Sequence, residues 1–227
     1  MAIGCRIETD FKRAAPRLVA LFQGIPVANI DDNMGRVAAM DSRIFPLGKG
    51  QLLGTAFTVR VPQGDNLMFH AAMDLARPGD VIMIDAGGFD NRAIFGELMA
   101  AYCKRRGIAG IVCDGAVRDS AALSRMEGFL VYACGVTPNG PYKNGPGEIG
   151  VPVVIGGKAV HPGDIIVGDE DGVLAIDPAA AEELAAAAAA VQEKEDAIMR
   201  HIVEDGAYIR PWVDGKLREI GCAFPGQ

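Results

Sequence analysis

Short apolar segments of β-strand character alternate along this chain with segments of helical pattern. Val81 to Ile84 and Ile111 to Cys113 are continuous apolar runs, and a helical pattern follows each of them. Continuous apolar strands joined by helices are typical of a parallel sheet that is covered on both faces. We therefore predict an α/β fold with a largely parallel central sheet. The expected strands are 54–61, 81–85, 109–113 and 129–133, and the expected helices between them are 66–75, 95–106 and 119–127.

The segments on either side of this region carry weaker patterns. Apolar spacing predicts helices over 8–23 and 27–40, and the pair Gly87-Gly88 predicts a loop. Residues 135–164 are rich in Gly and Pro and are expected to contain short strands.

A long C-terminal helix is expected over about 178–205. Asp177 is a good N-cap, Pro178 occupies the favoured first position, and Gly206 ends the pattern. The run Ala185–Ala190 leaves this helix little to bury, so we expect it to pack on a neighbouring subunit. No linker is long enough to separate two independent domains, so residues 1–227 are expected to form one domain.

Composition excludes several classes of function. Half of the 227 residues are apolar, which is enough for a sizeable core. A net charge of −7 argues against a nucleic-acid partner, and no segment is apolar enough for a signal peptide or a membrane span. The five cysteines form no metal-binding pattern, and Cys113 within its apolar run is expected to be a buried structural thiol. We expect a cytoplasmic protein.

Charged side chains gather where two of the predicted strands end. Arg118 and Asp119 follow the strand at 109–113, and twenty residues separate Arg118 from Glu97, which stands at the start of a helix. Two carboxylates and one guanidinium on converging loops suit a hard divalent cation such as Mg²⁺ or Mn²⁺ and a small anionic substrate. The amide groups of Gly96 to Met99 open a helix and favour an anion such as a carboxylate.

Ordinary structural roles explain the same charges equally well at this stage. Asp119 could be only a helix N-cap with Arg118 in a surface ion pair, and Glu97 could be a normal first-turn residue. Asp85 and Asp114, also at strand ends, could support the site or simply stabilise turns.

Other kinds of catalytic site are disfavoured. The three histidines, at 70, 161 and 201, are too scattered for a zinc site, and a structural role is expected for each. Lys104 and Lys143 lie in polar surroundings, unlike a lysine that forms a Schiff base.

The motif around these residues resembles that of a known family. Gly96-Glu97-Leu98, twenty residues and then Arg118-Asp119 within Asp-Gly-Ala-Val-Arg-Asp resemble the acidic-X20-Arg-Asp motif of the RraA-like family. The resemblance extends from about Ile25 to Asp177 and includes Pro78-Gly79-Asp80 and Asp171-Gly172-Val173. It implies an αββα sandwich, a homotrimer or homohexamer, and a class II, metal-dependent pyruvate aldolase.

The resemblance also implies roles for individual residues. Asp119 would bind the divalent metal directly, and Arg118 would bind the pyruvyl oxygens and stabilise the enolate. Gly96, Leu98 and Met99 would bind the substrate, with the amides of Leu98 and Met99 receiving its carboxylate. Glu97 would hold water on the metal and help in proton transfer. A glutamate from the C-terminal helix of the adjacent subunit would also reach that water; Glu195 is our first choice and Glu193 the second.

The implied reaction is cleavage of a 4-hydroxy-2-oxo diacid to pyruvate and a second oxo acid. The family's substrates are 4-hydroxy-4-methyl-2-oxoglutarate and 4-carboxy-4-hydroxy-2-oxoadipate, from the degradation of aromatic compounds. Oxaloacetate decarboxylation passes through the same enolate and is expected as a side activity. The alternative is a non-catalytic member that binds and inhibits ribonuclease E, which the joint presence of Glu97, Arg118 and Asp119 disfavours.

Overall fold

The structure is a computed structural model that describes residues 4–223. The chain divides into two compact units, one that ends at Ala189 and one that begins at Ala190. In order, the elements of the first unit are β1 (Cys5–Ile7), α1 (Pro16–Ala20), α2 (Val27–Asn33), β2 (Phe45–Leu47), β3 (Leu52–Arg60), α3 (Leu67–Leu75), β4 (Asp80–Phe95), α4 (Glu97–Arg105), β5 (Gly110–Val117), α5 (Ser120–Leu123), β6 (Leu130–Val136), β7 (Gly147–Ile149), β8 (Val153–Ile155), β9 (Lys158–Val160), β10 (Ile165–Gly168) and β11 (Val173–Ile176).

The predicted α/β fold is confirmed, and its centre is a parallel sheet. The strand order of the main sheet is β1-β7-β3-β4-β5-β6-β2, and β3, β4, β5 and β6 run parallel to one another. Strand β10 pairs antiparallel with both β3 and β11, and the hairpin of β8 and β9 forms a second small sheet. The parallel strands of the main sheet thus all end at one edge, with α4 following β4 and α5 following β5.

Three apolar clusters hold the layers together. The first lies between the main sheet and α3, α4 and α5, and it contains Phe57, Phe69 and Phe95. The second lies between the other face of the sheet and the β8–β9 hairpin, and the third joins β10 and β11 to α1 and α2. Most of these side chains are fully buried, which makes the sheet a rigid support for the residues at its edge.

The first two helices are shorter than the sequence pattern predicts. The helix predicted over 8–23 is only Pro16–Ala20, because residues 8–15 are fixed by tertiary contacts instead. Arg13 forms two hydrogen bonds with Asp80, at 2.8 and 3.0 Å, and Phe11 packs against Phe57. The helix predicted over 27–40 ends at Asn33, since the chain then turns through two residues of positive φ.

The prediction of a loop at Gly87-Gly88 is also wrong. Both glycines have positive φ, but β4 continues through them as an irregular strand to Phe95. Pairing with β5 continues past three register shifts, and the last pair is Phe95 with Val117. Strand β5 likewise runs beyond its predicted end, and the helix predicted over 119–127 is shortened to Ser120–Leu123.

The predicted C-terminal helix is confirmed. A 3-10 turn, Pro178–Ala180, is capped by the Asp177 side chain, which accepts a hydrogen bond from the Ala179 N–H at 2.8 Å. Helix α6 (Ala181–Asp205) follows, and its first turns bury Leu184, Ala185 and Ala188 in the third apolar cluster. Packing on a neighbouring subunit stays a prediction.

The second unit contains the remainder of α6 and α7 (Trp212–Glu219). Several large apolar side chains of this unit are exposed, namely Ile198, Met199, Val203, Tyr208, Ile209, Trp212 and Ile220. Within the described residues, no helix combines the length and apolar character that a membrane crossing requires.

Candidate active site

The register of β4 and β5 explains the spacing of the charged motif. Phe95 pairs with Val117 at the end of the two parallel strands, and the Arg118 N–H extends the ladder to the Phe95 carbonyl at 2.9 Å. Gly96 and Glu97 therefore leave the sheet beside Arg118 and Asp119. The twenty residues between Glu97 and Arg118 are the length that α4 and the return strand β5 require.

Asp119 does not cap the helix that it precedes. It occupies the N-cap position of α5 with φ 57° and ψ 36°, and its side chain accepts no hydrogen bond from that helix. Its Oδ2 instead accepts the Glu97 N–H at 3.1 Å, across the gap between the two loops. The ion pair with Arg118 is long, with 3.8 Å between Nε and Oδ2. The interpretation of Asp119 as an ordinary N-cap is therefore not supported, whereas the surface ion pair with Arg118 is present.

The backbone at Asp119 is strained. A non-glycine residue with positive φ is uncommon and costs energy, and such residues gather at functional sites. The conformation directs the carboxylate toward the start of α4, where it stays 45% exposed. The surroundings stabilise this geometry although a glycine at 119 would be easier to accommodate.

Gly96 is required by the close approach of the two loops. A Cβ at this position would overlap Asp119 Oδ2 and lie 2.8 Å from Arg118 Cγ. Gly96 thus permits the carboxylate of Asp119 to reach the first amide of α4.

A cavity of about 820 Å³ lies along α4 and α5, and a smaller one of about 330 Å³ lies directly in front of Arg118 and Asp119. The smaller cavity is the candidate active site, because it brings the predicted residues Gly96, Leu98 and Met99 together with that pair. Helix geometry leaves the N–H groups of Leu98 and Met99 without carbonyl partners inside α4, so they can bind an anion. The full lining is Asn66, His70, Ile94, Phe95, Gly96, Leu98, Met99, Arg118, Asp119, Gly140, Pro141 and Lys143.

Three polar residues of the cavity lining were missed by sequence reasoning. They are Asn66 and His70, at the start of α3 and one turn along it, and Lys143 in the loop after β6. Asn66 is buried, and its Nδ2 donates to the Ile94 carbonyl at 2.8 Å. Its Oδ1 has no partner within the described residues. No local pattern marks these residues, because only the fold brings α3 and this loop to the motif.

Three of the residues that the resemblance implied are not among the lining residues of this cavity. The Glu97 N–H donates to Asp119, but Glu97 lines the cavity of about 820 Å³ along α4 and α5, together with Lys104 and Arg125. Glu195 and the second choice, Glu193, belong to the second unit, on the later part of α6. Within residues 4–223 no three metal-binding side chains of His, Cys, Asp or Glu form a cluster.

Asp114 and Asp85 have structural partners. Both carboxylate oxygens of Asp114 lie 3.0 Å from Arg43 Nη2, and Oδ2 also accepts the Gly156 N–H at 3.0 Å. Asp85 accepts the Gly87 N–H at 3.1 Å and lies 3.6 Å from the Arg60 guanidinium. Both aspartates lie within strands and not at strand ends as expected, because β4 and β5 run beyond their predicted bounds.

Cys113 has the environment of a structural thiol. The side chain is fully buried, and that burial raises the pKa of the Cys113 thiol well above its ordinary value. Neighbouring groups, chiefly Cys134 and then Asp114, add to the increase in this pKa. A thiol that stays protonated is a poor nucleophile, as expected from its position in the apolar run.

Comparison with known proteins identifies relatives of most of the chain. The sequence profile of the RraA-like family, described as Aldolase/RraA, matches residues 27–175. A protein of Halalkalibacterium halodurans, provisionally named 4-hydroxy-4-methyl-2-oxoglutarate aldolase, is 40% identical over 197 residues, which cover 86% of this chain and 93% of that protein.

Solved structures share the fold. An uncharacterised protein from Pseudomonas syringae pv. tomato superimposes with a TM-score of 0.74 at 24% identity and covers 85% of this chain and 95% of its own. Streptomyces coelicolor RraAS2, described as an unusual member of the RNase ES inhibitor RraA family, has a TM-score of 0.71 at 28% identity. That match covers 83% of this chain and all of RraAS2.

Proposed function

Because this chain belongs to the RraA-like family, we propose that it is a divalent-metal-dependent aldolase that cleaves a 4-hydroxy-2-oxo diacid to pyruvate and a second oxo acid. The provisional name of the Halalkalibacterium halodurans relative supports the aldolase class. One observation carries the proposal: the strained Asp119 places a half-exposed carboxylate beside Arg118 and the free amides of α4, at one cavity.

In the proposed complex the start of α4 binds the substrate carboxylate. The N–H groups of Leu98 and Met99 point from the first turn of α4, where the positive end of the helix dipole also favours an anion. Leu98 is 83% exposed, so a small substrate can approach this turn. This contact orients the adjacent 2-oxo group toward Arg118 and Asp119.

Arg118 is proposed to stabilise the charge that develops in the reaction. Cleavage of the bond between C3 and C4 leaves pyruvate as its enolate, so negative charge grows on the former 2-oxo oxygen. A guanidinium fixed at the end of a buried strand is preorganised for that charge. Its backbone is held by the hydrogen bond to Phe95, and half of its side chain is exposed to the cavity and solvent.

The environment of Asp119 fits a divalent cation. Mg²⁺ and Mn²⁺ bind through one or two protein carboxylates and keep several waters, so a cluster of three acidic residues is not needed. Asp119 Oδ2 is held by the Glu97 N–H, and the half-exposed carboxylate retains capacity for a further ligand. When bound, such a cation would polarise the 2-oxo group as a Lewis acid.

The remaining roles extend the proposal. Glu97, and Glu195 from an adjacent subunit with Glu193 as the second choice, would hold water. Through that water the proton of the 4-hydroxyl group would leave as the bond between C3 and C4 breaks, and a proton would return to the enolate carbon. The active assembly would be a homotrimer or homohexamer. Oxaloacetate decarboxylation should occur at the same site, because it yields the same enolate.

The proposal is tested by pyruvate release from oxaloacetate and from 4-hydroxy-4-methyl-2-oxoglutarate, with Mg²⁺ and with a chelator. We expect both reactions to require the metal, and Arg118→Ala to lower kcat/KM by at least about a hundredfold, the effect of one lost oxyanion donor. Background release under every condition would contradict the aldolase. It would favour the alternative of a ribonuclease inhibitor, which is consistent with the likeness to the Streptomyces coelicolor protein.

A further inference from the structure

We propose that Lys143, with His70 in the lining of the same cavity, binds the second carboxylate of the substrate and thereby selects diacids over 4-hydroxy-2-oxo monoacids. This inference rests on the proposed function. It concerns lining residues that the motif does not include.

The cavity contains two groups of residues that can bind an anion. The amides of Leu98 and Met99 form one group, in the same lining as Arg118. His70 on α3 and Lys143 in the loop after β6 form the other group and line the same 330 Å³ space. A substrate whose first carboxylate lies at α4 can therefore place its second carboxylate at Lys143 and His70.

The backbone around Lys143 is fixed on both sides. The buried Asp65 carboxylate accepts the Asn144 N–H at 2.6 Å and the Gly145 N–H at 3.1 Å. On the other side, the Tyr142 N–H donates to the Gly64 carbonyl at 2.8 Å, and the Tyr142 carbonyl accepts the Asn66 N–H at 3.0 Å. A lysine in an otherwise exposed loop thus projects from an anchored backbone, which reduces the entropy lost when it binds a ligand.

A second anchor holds the start of the same loop. Arg92 donates to the Gly140 carbonyl at 2.6 Å and to the Tyr142 hydroxyl at 3.1 Å, and its guanidinium lies 4.1 Å from the centre of the Tyr142 ring. These contacts hold Gly140 and Pro141 against the cavity. The loop therefore forms a defined wall of the site.

The Lys143 and His70 side chains are uncommitted. Lys104 and Lys158 each donate to a backbone carbonyl, of Glu127 and Val37 respectively. By contrast, neither the Lys143 ammonium nor the His70 ring forms an ion pair or a side-chain hydrogen bond with any residue in the range 4–223. Both remain available to a ligand.

The charge of the lining favours a dianion. Asp119 is the one acidic side chain among the lining residues, and the metal proposed there would more than neutralise it. Arg118 and Lys143 give the cavity a positive character in a chain whose net charge is −7. A lysine ammonium recognises a carboxylate through a charge-assisted hydrogen bond, which is stronger than a neutral one.

Two reactions with different requirements test the inference. Cleavage of 4-hydroxy-4-methyl-2-oxoglutarate should need both the amides of α4 and the Lys143 group, because this substrate has two carboxylates. Deuterium exchange at the methyl group of pyruvate should need only the amides of α4, because pyruvate has one carboxylate. We expect Lys143→Ala to lower kcat/KM for cleavage by about thirtyfold, mainly through KM, as one charge-assisted hydrogen bond predicts. The exchange rate should not change, Lys143→Arg should recover part of the loss, and the exposed Lys49→Ala should have no effect.

Any other pattern of results would contradict the inference. Equal loss of cleavage and exchange in Lys143→Ala would mean that the residue acts on the shared enolate step or on the fold. Unchanged cleavage would mean that the second carboxylate binds elsewhere. In both cases metal-dependent exchange in the unaltered protein would leave the proposed aldolase intact. Absence of both reactions in the unaltered protein would overturn the aldolase as well.

Discussion

Two aspartates near the end of β5, Asp114 within the strand and Asp119 just beyond it, are used in opposite ways. The side chain of Asp114 is 5% exposed and is paired with Arg43 and the Gly156 amide. That of Asp119 is 45% exposed, holds one amide of another loop and requires a strained backbone. A buried carboxylate that is paired with an arginine supports the fold, whereas a half-exposed carboxylate that accepts one amide N–H can bind a further ligand.

The surroundings of the two aspartates differ in the same way. Asp114 lies within β5, where the fully buried Cys113 precedes it and strands flank it on both sides. Asp119 lies just beyond the last pair of the ladder, at a cavity that also receives a helix N-terminus. The rigid interior therefore positions the residues at its edge, and the chemistry is expected only there.

The largest effect should come from Asp119→Asn. The asparagine keeps an oxygen that can accept the Glu97 N–H, and asparagine tolerates positive φ, but the negative charge is lost. We expect kcat/KM for 4-hydroxy-4-methyl-2-oxoglutarate to fall by at least about a thousandfold. The free energy of unfolding should change by less than about 0.5 kcal/mol. Steady-state kinetics with Mg²⁺ and urea denaturation measure the two, and retained turnover would contradict the metal role.

The next effect should come from Gly96→Ala, which alters the position of Asp119 without removing it. The added Cβ would overlap Asp119 Oδ2, so the two loops must separate. A displacement of this kind is expected to cost about a hundredfold in kcat/KM. Gly215→Ala is the matched control, because a Cβ at Gly215 meets no atom within 4 Å. Equal activities for the two variants would show that the close approach at Gly96 is unimportant for catalysis.

The smallest of the three effects should come from Asp114→Asn, and it should appear in stability. The substitution breaks the ion pair with Arg43, whose side chain is 44% exposed and can be hydrated by solvent. We therefore expect the free energy of unfolding to fall by about 2 kcal/mol, less than for a fully buried pair. Urea denaturation measures this change. A loss of turnover in the folded variant with unchanged stability would reverse the roles assigned to the two aspartates.

Sequence patterns predicted the central elements better than the flanking ones. The alternating strands and helices from 54 to 133 are present, because continuous apolar runs depend mainly on burial in the sheet. The helix predicted over 8–23 is mostly absent, because contacts of Phe11 and Arg13 with distant residues override the local pattern. Strand β4 continues through Gly87 and Gly88 because pairing with β5 stabilises an irregular strand that local propensity disfavours.

The sequence by itself determined the α/β class, the covered parallel sheet and the motif residues Gly96, Glu97, Arg118 and Asp119, since periodicity and motif spacing are local properties of a chain. Only the tertiary structure decided that Phe95 pairs with Val117 and that Asp119 turns toward α4 instead of capping α5. It also decided that Lys143 and His70 line the same cavity as Arg118 and Asp119. These features depend on contacts between residues far apart in the chain, and the free energy of such contacts is not encoded in any single segment.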